Sequence, residues 1–393
     1  MSATTEQQTD ALLGVYRRAG PTFVGGEGSH LIAEDGSRFL DFTSGIAVNA
    51  LGYGDPDFTA AVQEALATGL VHTSNLFRTR PGEELAGWLV ENSFADRAFF
   101  CNSGAEANEG AFKFARRWAR ENGPEGKMEI VAFRGSFHGR TFGSLAATDR
   151  PAYREPFEPL MPGVTFCDVG AVDQLERIVS HDATAAVIIE PLQAEGGILP
   201  VPEEFLRAIR EICDREDALL IYDEVQVGLG RTGSLWAHTP SGTEPDMMTL
   251  AKPLAGGLPM GAVLLTERVA AALRPGDPAT TFGGGPLVSA AALAVCRRIG
   301  EPSFLQEVRR KGAWLERRLA QLARDHECVE AVRGVGMIWG IELKTPAADL
   351  VSAAREAGLL LVAAGPKVVR LVPPLTVSDE DLDSAISIIA GVL

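Results

Sequence analysis

The sequence predicts an α/β protein with a large domain around a mostly parallel central sheet and a small α+β domain formed by both chain ends. Between about residues 95 and 265, short continuous apolar runs alternate with stretches of helical periodicity. Apolar strands separated by helices are typical of a parallel sheet covered on both faces. Strand-like runs also occur on both flanks. We therefore expect the N-terminal part of the small domain over residues 1–60, the large domain over 61–290 and the C-terminal part of the small domain over 291–393.

The elements of the central region follow from their apolar patterns. Residues 29–53, before that region, suggest a small antiparallel meander with a turn at Asp35–Gly36. Helical periodicity predicts one helix after residue 102 and another over about residues 202–215. Short, mostly β-branched or aromatic runs predict the strands RAFFCN (97–102), EIVAF (129–133), GVTFCD (163–168), AAVIIEP (185–191), ALLIYDE (218–224) and GAVLLT (261–266).

The C-terminal region changes character after residue 285. A long helical stretch leads to two strand-like runs, GMIWGIEL (336–343) and KVVRLVP (367–373). Ser378 followed by Asp381 is typical of the N-cap of a last helix that ends near the C-terminus.

Charge and composition exclude several classes of protein. The 393 residues carry a formal net charge of −16, which argues against a nucleic-acid partner because such a partner requires a basic face. No apolar run approaches the roughly 20 residues needed to span a membrane, and the N-terminus lacks the pattern of a signal peptide. The five cysteines are far apart, without a CxxC pair, which argues against a disulfide framework or a metal site. We therefore expect a cytoplasmic protein.

Polar side chains follow the predicted strands at the positions where parallel sheets bind ligands. Glu190 and Glu195 follow one strand, and Asp223 and Gln226 follow another. Residues 102–105, Asn-Ser-Gly-Ala, begin a helix whose free backbone N–H groups could bind a phosphate. An ordinary N-cap is the alternative interpretation of this turn. The glycine pattern of residues 228–233 is assigned to a flexible loop rather than a dinucleotide site, because no helical periodicity follows it.

Lys252 is the only charged residue in the segment TLAKPLAGGLPMG (249–261). A lysine in an apolar loop has a lowered pKa and is a better amine nucleophile. Together with an acid at a strand end and a phosphate-binding turn, it suggests pyridoxal phosphate, which needs a lysine for covalent attachment and an acid at its ring nitrogen. Each residue also has a structural explanation: Lys252 could reach the surface, and Asp223 could cap the next turn.

Six blocks of the chain, in order, resemble the class III aminotransferases of pyridoxal-phosphate fold type I. The resemblance extends from about residue 20 to the C-terminus. Within the family, the sequence is most similar to the acetylornithine aminotransferase branch. Pro278–Ala279 departs from the His-Gly pair that the family has at this position. The blocks are NSGAEANE (102–109), SFHGRT (136–141), EPLQAEGG (190–197), YDEVQ (222–226), TLAKPLAGGLPMGA (249–262) and TTFGGGPLV (280–288).

The resemblance implies a set of cofactor-binding residues. Lys252 would bond to the cofactor and move the substrate proton, and Asp223 would keep the ring nitrogen protonated. Phe137 would stack on the ring, Val225 would pack on its other face, and Gln226 would hydrogen-bond towards the phenolic oxygen. Further cofactor contacts, to the phosphate, are implied for Gly104, Ala105 and, from the partner subunit of a homodimer, Thr281.

The resemblance also implies substrate-binding residues. Arg140 would bind the substrate carboxylate as a bidentate fork, and Thr280 would lie at the substrate. Arg370 would bind the α-carboxylate of glutamate. When the bound donor is instead one that reacts at its terminal amine, Glu195 would neutralise Arg370. Ile46 stands where ornithine-specific relatives have a tyrosine, which favours a donor with a blocked α-amine.

The resemblance implies transfer of the δ-amino group of N2-acetyl-L-ornithine to 2-oxoglutarate, giving N-acetylglutamate 5-semialdehyde and glutamate in arginine biosynthesis. Free ornithine, succinylornithine, 4-aminobutyrate and a carrier-bound lysine precursor are alternative donors. A non-catalytic protein that keeps pyridoxal phosphate as a ligand is the alternative from another class. Such a protein would more easily lose Lys252, Asp223 or Arg140, and all three are present.

Overall fold

A computed structural model describes residues 11–16 and 18–393 of the chain. The expectations for residues 1–10 and 17, which include most of the segment inspected for a signal peptide, lie outside the described residues. No helix in the described part is both long and apolar enough to cross a membrane.

The described residues form one seven-stranded sheet, two four-stranded sheets and a two-stranded ribbon. The strands are β1 (Phe23–Glu27), β2 (His30–Ala33), β3 (Arg38–Asp41), β4 (Arg97–Cys101), β5 (Glu129–Phe133), β6 (Val164–Cys167), β7 (Thr184–Ile189), β8 (Leu192–Gln193), β9 (Leu199–Pro200), β10 (Leu219–Asp223), β11 (Met247–Leu250), β12 (Gly261–Leu265), β13 (Val329–Val335), β14 (Ile338–Leu343), β15 (Leu359–Leu360), β16 (Val362–Ala363) and β17 (Val368–Leu371).

Helices connect and cover these sheets. They are α1 (Ser44–Ala47), α2 (Pro56–Ala67), α3 (Arg80–Glu91), α4 (Gly104–Asn122), α5 (Phe142–Ala146), α6 (Pro151–Arg154), α7 (Val172–Ile178), α8 (Glu203–Arg215), α9 (Glu267–Ala270), α10 (Pro286–Ile299), α11 (Pro302–Asp325), α12 (Ala347–Glu356) and α13 (Asp379–Val392). Single 3₁₀ turns span Glu155–Phe157, Thr239–Ser241 and Lys252–Ala255.

The seven-stranded sheet confirms the predicted α/β class with a mostly parallel central sheet. Its strand order is β4-β12-β11-β10-β7-β5-β6, and only β12 runs antiparallel to its neighbours. The sequence patterns gave no sign of this reversal. Only residues 251–260 join β11 to β12, too few for the helical crossover that a parallel neighbour requires. Strand β11 was itself absent from the prediction, because its four residues merge with the lysine-containing loop that follows.

Both faces of the central sheet are buried, as its continuous apolar strands predict. On one face Ile130, Ala186 and Ile188 pack in a cluster with residues of α4. On the other face the alternate positions Val131 and Val187 pack in a cluster with the apolar face of α8, which contains Phe205, Leu206, Ile209 and Ile212. Successive residues of a strand point to opposite faces, so a strand covered on both sides must be apolar throughout.

The chain ends meet in the smaller sheets. The predicted meander is present as β1, β2 and β3, and β15 from the C-terminal region pairs with β3 in parallel. The second four-stranded sheet has the order β13-β14-β17-β16, and β13 was not predicted. Ser378 caps α13 by accepting a hydrogen bond from the backbone N–H of Asp381, as expected. The domain boundaries at residues 60 and 290 stay a prediction.

The glycine-rich segment over residues 228–233 is a loop without a following α-helix, in agreement with the rejection of a dinucleotide site. Tight packing leaves little room for the flexibility we expected. A Cβ atom on Gly230 would lie 2.8 Å from Cγ2 of Ile299. Arg231 is buried and donates hydrogen bonds to the carbonyl oxygens of Met337 and Pro373, which join the loop to the C-terminal region.

Candidate active site

A cavity of about 420 Å³ lies beyond the carboxyl ends of the parallel strands, where ligands bind in sheets of this kind. Strands β4, β5, β7, β10 and β11 each deliver residues to its wall. These include Gly104, Ala105, Phe137, Arg140, Glu190, Asp223, Val225, Gln226 and Lys252. The fold thus brings together most of the site residues predicted from the sequence.

Asp223 is held at the end of β10 by three polar contacts. Its Oδ2 atom accepts a hydrogen bond from Nδ2 of Asn108 at 2.8 Å and lies 2.7 Å from Nδ1 of His138. Its Oδ1 atom accepts from the backbone N–H of Val225 at 3.0 Å. Asp223 is therefore a fixed, buried carboxylate at the floor of the cavity.

Lys252 follows β11 and brings a partly buried amine to the same cavity. Burial, and to a smaller extent the charge of Arg370, lowers the pKa of the Lys252 amine to about 8. Its backbone has φ of 31°, in the left-handed region that non-glycine residues rarely adopt. Such strain persists only where the surrounding structure imposes it, and it occurs mostly at functional sites.

The N-terminus of α4 also lines the cavity. Ser103 caps the helix by accepting a hydrogen bond from the backbone N–H of Glu106. The first backbone N–H groups of a helix, here those of Gly104 and Ala105, have no partner within the helix and attract anions. A Cβ atom on Gly104 would lie only 2.6 Å from Cγ1 of Val225, so glycine permits a close approach between this helix end and the β10 loop.

Phe137 lies in the loop after β5, close to the carboxylate of Glu190. The backbone N–H of Phe137 donates to Oε1 of Glu190 at 2.9 Å, and that of Ala194 donates to Oε2 at 3.3 Å. Burial raises the pKa of the Glu190 carboxyl well above its usual range, against the opposing effect of His138. Glu190 therefore ties the loop that carries Phe137 to the end of β7.

Glu195, Gln226 and Arg370 form a connected group. Nη1 of Arg370, a buried residue of β17, donates to Oε1 of Glu195 at 2.6 Å and to Oε1 of Gln226 at 2.8 Å. Burial alone would raise the pKa of Glu195, but Arg370 outweighs it and holds the pKa below the usual range. The expected hydrogen bond from Gln226 to a cofactor oxygen stays a prediction.

Arg140 extends from the loop after β5 and is exposed at the cavity. Its guanidinium carbon lies 3.3 Å from the ring centre of Tyr153 and 5.6 Å from that of Phe137. Among the described residues, no hydrogen-bond acceptor or carboxylate pairs with it. Its N–H groups are therefore available to an anionic ligand.

Thr280 and Thr281 lie outside the Lys252 cavity. They line a second cavity of about 970 Å³, together with residues 74–79. Oγ1 of Thr280 accepts a hydrogen bond from Nδ2 of Asn102 at 3.0 Å, and Thr281 is exposed. Within one chain, neither threonine lines the Lys252 cavity, and the roles that the resemblance implies for them stay predictions.

Ile46 is exposed in the short segment α1, four residues that all have positive φ between 43° and 67°. A β-branched residue in the left-handed region is a genuine outlier. Hydrogen bonds from Ile46 N and Ala47 N to the carbonyl oxygen of Thr43, and from Ser44 Oγ to that of Val372, impose this conformation.

Sequence reasoning assigned no role to Asn108 and His138, the partners of Asp223. Both lie inside blocks that we had recognised, NSGAEANE and SFHGRT. Asn108 also joins Oγ1 of Thr249 to the carbonyl oxygen of His138, so one amide connects three strand ends. A buried asparagine on the apolar face of a helix was the available signal.

The chemistry of these groups fits pyridoxal phosphate. A fixed carboxylate, Asp223, suits a protonated ring nitrogen, and an amine of lowered pKa, Lys252, suits covalent attachment. The N-terminus of α4 suits the phosphate, and Phe137 with Val225 supplies apolar surface for the ring. This cofactor requires an acid, an amine and an anion-binding helix end, and the cavity contains all three.

Comparisons with known proteins agree with this geometry. The family model for class III aminotransferases matches residues 18–393. The mitochondrial acetylornithine aminotransferase of Alnus glutinosa is 50% identical over 96% of this chain and 84% of its own. The crystal structure of N-acetylornithine aminotransferase from Stenotrophomonas maltophilia is 37% identical, with a TM-score of 0.84 over 96% of both chains. An ornithine aminotransferase structure from Toxoplasma gondii, with partial occupancy of PLP at its active site, is 29% identical, with a TM-score of 0.89 over 96% of this chain and 91% of its own.

Two observations therefore agree. The family model matches almost the whole chain, and the cavity has the acid, amine and anion-binding groups of a transaminase. The chain belongs to the class III aminotransferases.

Proposed function

We propose that this aminotransferase transfers the δ-amino group of N2-acetyl-L-ornithine to 2-oxoglutarate, giving N-acetylglutamate 5-semialdehyde and glutamate in arginine biosynthesis. The observation that carries the proposal is the contrast between two arginines. Arg140 is unpaired at the cavity, whereas Arg370 is buried and neutralised by Glu195. The acetylornithine aminotransferases among its relatives support the same donor.

The residues that would hold the cofactor follow from the geometry of the cavity. Lys252 would bind pyridoxal phosphate covalently, Asp223 would bind its ring nitrogen, and the first turn of α4 would bind its phosphate. Phe137 and Val225 would enclose the ring. When bound, the cofactor supplies an electron sink for the carbon atom that carries the transferred amine.

Lys252 and Asp223 have separate tasks in the transfer. With a pKa of about 8, Nζ of Lys252 is neutral far more often near neutral pH than an ordinary lysine amine, so it can accept a proton from the reacting carbon and return it nearby. Asn108 and His138 keep the Asp223 carboxylate in place, where it would hold a proton on the ring nitrogen of the bound cofactor. These roles need no metal ion.

The two arginines allow one pocket to accept two substrates of different shape. Acetylornithine reacts at its terminal amine, and Arg140 would bind its distant carboxylate. Glutamate reacts next to its α-carboxylate, which would pair with Arg370, while its γ-carboxylate would pair with Arg140. Glu195 neutralises Arg370 when acetylornithine is bound, since a buried unpaired charge is costly. Glutamate would displace Glu195.

We also propose a homodimer in which Thr281 of the partner subunit completes the phosphate site. Thr281 does not line the Lys252 cavity within one chain and lies beside exposed apolar side chains, those of Leu76, Phe77 and Phe282. Exposed apolar patches of this kind mark interaction surfaces. The five free cysteines fit a reducing compartment such as the cytoplasm.

The substrate proposal is tested by single-turnover reactions of the cofactor-loaded enzyme with a panel of amino donors. The panel contains N-acetylornithine, succinylornithine, ornithine, 4-aminobutyrate and a lysine precursor on its carrier, and the absorbance of the cofactor reports the transfer. We expect the highest kcat/KM with N-acetylornithine. A higher kcat/KM with any other donor of the panel contradicts the proposal.

A further inference from the structure

Arg140 is held by its flat face rather than by its N–H edges. Its guanidinium carbon lies 3.3 Å from the centre of the Tyr153 ring, and the Phe137 ring is on the cavity side at 5.6 Å. A guanidinium stacked on an aromatic ring is attracted electrostatically and keeps its in-plane N–H groups free. The stack therefore fixes the orientation of Arg140 without using the donors that a carboxylate needs.

Helix α4 carries an acidic side chain, that of Glu109, which does not compete for Arg140. Glu109 of α4 accepts hydrogen bonds at Oε1 from Oγ1 of Thr141 and from the backbone N–H groups of Gly143 and Ser144. These contacts hold the start of α5, directly after Arg140. Glu109 is occupied there and forms no ion pair with Arg140 among the described residues.

The segment that leads to Tyr153 is joined by hydrogen bonds to the loop that carries Arg140. Oγ1 of Thr148 donates to the carbonyl oxygen of Gly139 at 3.1 Å and accepts from the backbone N–H of His138 at 2.8 Å. Nη2 of Arg150, next to α6, donates to the carbonyl oxygens of Gly135 at 3.2 Å and Glu195 at 2.8 Å. The segment leading to Tyr153 and the loop after β5 thus form one hydrogen-bonded unit.

We propose that Tyr153 is a positioning residue that orients Arg140 to receive the carboxylate of the amino donor. The inference rests on the proposed function, in which Arg140 binds that carboxylate. An arginine side chain loses rotamer freedom when it binds a ligand, and a side chain already held in place loses less. The aromatic ring is the active feature, because the Tyr153 hydroxyl has no partner among the described residues.

The test compares two donors that differ only in the carboxylate. N-acetyl-1,4-diaminobutane is N2-acetylornithine without its carboxylate, so its reaction does not depend on Arg140. Single-turnover kcat/KM is measured for both donors with the cofactor-loaded wild type, Tyr153→Leu, Tyr153→Phe and Arg140→Ala. Calorimetric binding of glutarate, an unreactive dicarboxylate, gives a readout that is independent of turnover. If N-acetyl-1,4-diaminobutane reacts too slowly to be measured, the glutarate affinities of the variants alone decide the test.

We expect Tyr153→Leu to lower kcat/KM for N-acetylornithine about two- to thirty-fold, mainly through KM, which is the range of a cation–π contact. The reaction of the amine without a carboxylate should not change, and glutarate should bind more weakly. Tyr153→Phe should match the wild type in all three measurements.

Three results overturn the inference. An equal loss with both donors in Tyr153→Leu would indicate general damage to the site. An unchanged reaction with N-acetylornithine, while Arg140→Ala still shows a carboxylate-dependent loss, would refute the role of Tyr153 alone. If Arg140→Ala itself shows no carboxylate-dependent loss, the assignment of Arg140 in the proposed function fails, and the role of Tyr153 fails with it.

Discussion

Among single residues, Lys252 should make the free energy of unfolding depend on pH. Burial lowers its pKa from the ordinary value of 10.5 to about 8 in the folded protein. Between pH 8 and pH 10.5 the unfolded state binds more protons than the folded state, so the free energy of unfolding rises with pH. The destabilisation caused by burying the charged Lys252 amine is therefore greatest below pH 8. In the cofactor-free protein, Lys252→Met should therefore raise the free energy of unfolding most below pH 8. This advantage should shrink by about 3 kcal/mol towards pH 10.5.

The measurement is urea unfolding of wild type and Lys252→Met over this pH range. Titrating groups that do not interact with Lys252 are common to both proteins and cancel in the difference. A difference that does not vary with pH would show that the Lys252 amine is not perturbed by its surroundings.

Single residues differed in how far the sequence could identify them. Lys252 and Asp223 were found because a charge in an apolar loop and an acid at a strand end are visible without coordinates. Asn108 and His138 were not, because their function depends on bonding to Asp223, 115 and 85 positions away along the chain. The stacking of Tyr153 on Arg140 is likewise a tertiary contact with no local pattern.

At the scale of elements, the N-terminus of α4 depends on the absence of a side chain at Gly104. A methyl group there would lie 2.6 Å from Cγ1 of Val225 and would push the helix end from the β10 loop. We expect Gly104→Ala to weaken pyridoxal phosphate binding roughly five- to a hundred-fold, the range of an overpacked contact. Equilibrium titration of the cofactor-free protein measures the dissociation constant.

A double-mutant cycle supplies the control for this prediction. Val225→Ala removes the clashing methyl groups, so the double variant Gly104→Ala, Val225→Ala should bind the cofactor more tightly than Gly104→Ala. Simple addition of the two single losses would show that the Gly104–Val225 contact is not what keeps the phosphate site in place.

Elements with a strong periodic pattern were predicted to within a few residues. Strand β5 matches its predicted range, and the apolar face of α8 is buried as expected. The four-residue strand β11 and the mostly half-buried β13 were missed, because short or mixed patterns do not separate strand from loop. The antiparallel direction of β12 depends on the length of its connection rather than on its own residues.

At the scale of the whole molecule, the proposed dimer makes the active site a shared structure. Lys252→Ala and Thr281→Ala should each lower activity, and subunit exchange between them should form mixed dimers. One site of a mixed dimer then carries both defects and the other carries neither, so activity should partly return. A mixture of Lys252→Ala and Lys252→Met is the matched control and should stay inactive.

Analytical ultracentrifugation provides the independent check on assembly. A fully active monomer would contradict the shared site, as would a dimer whose mixed variants recover no activity. The sequence indicated this assembly only through a family resemblance, since a contact between two chains leaves no periodic pattern within one. The exposed apolar residues beside Thr281 are the structural support.

In the proposed mechanism, one pocket uses Arg140 for both substrates and Arg370 only for glutamate. The most direct test is the pair of half-reactions in Arg370→Ala and in Arg140→Ala, followed by single-turnover absorbance. A lost charge-assisted hydrogen bond costs roughly 1.5–3 kcal/mol, about ten- to a hundred-fold or more in kcat/KM. We predict that Arg370→Ala loses this factor with glutamate and much less with N-acetylornithine, whereas Arg140→Ala loses it with N-acetylornithine as well. Equal losses of Arg370→Ala in the two half-reactions would contradict the claim.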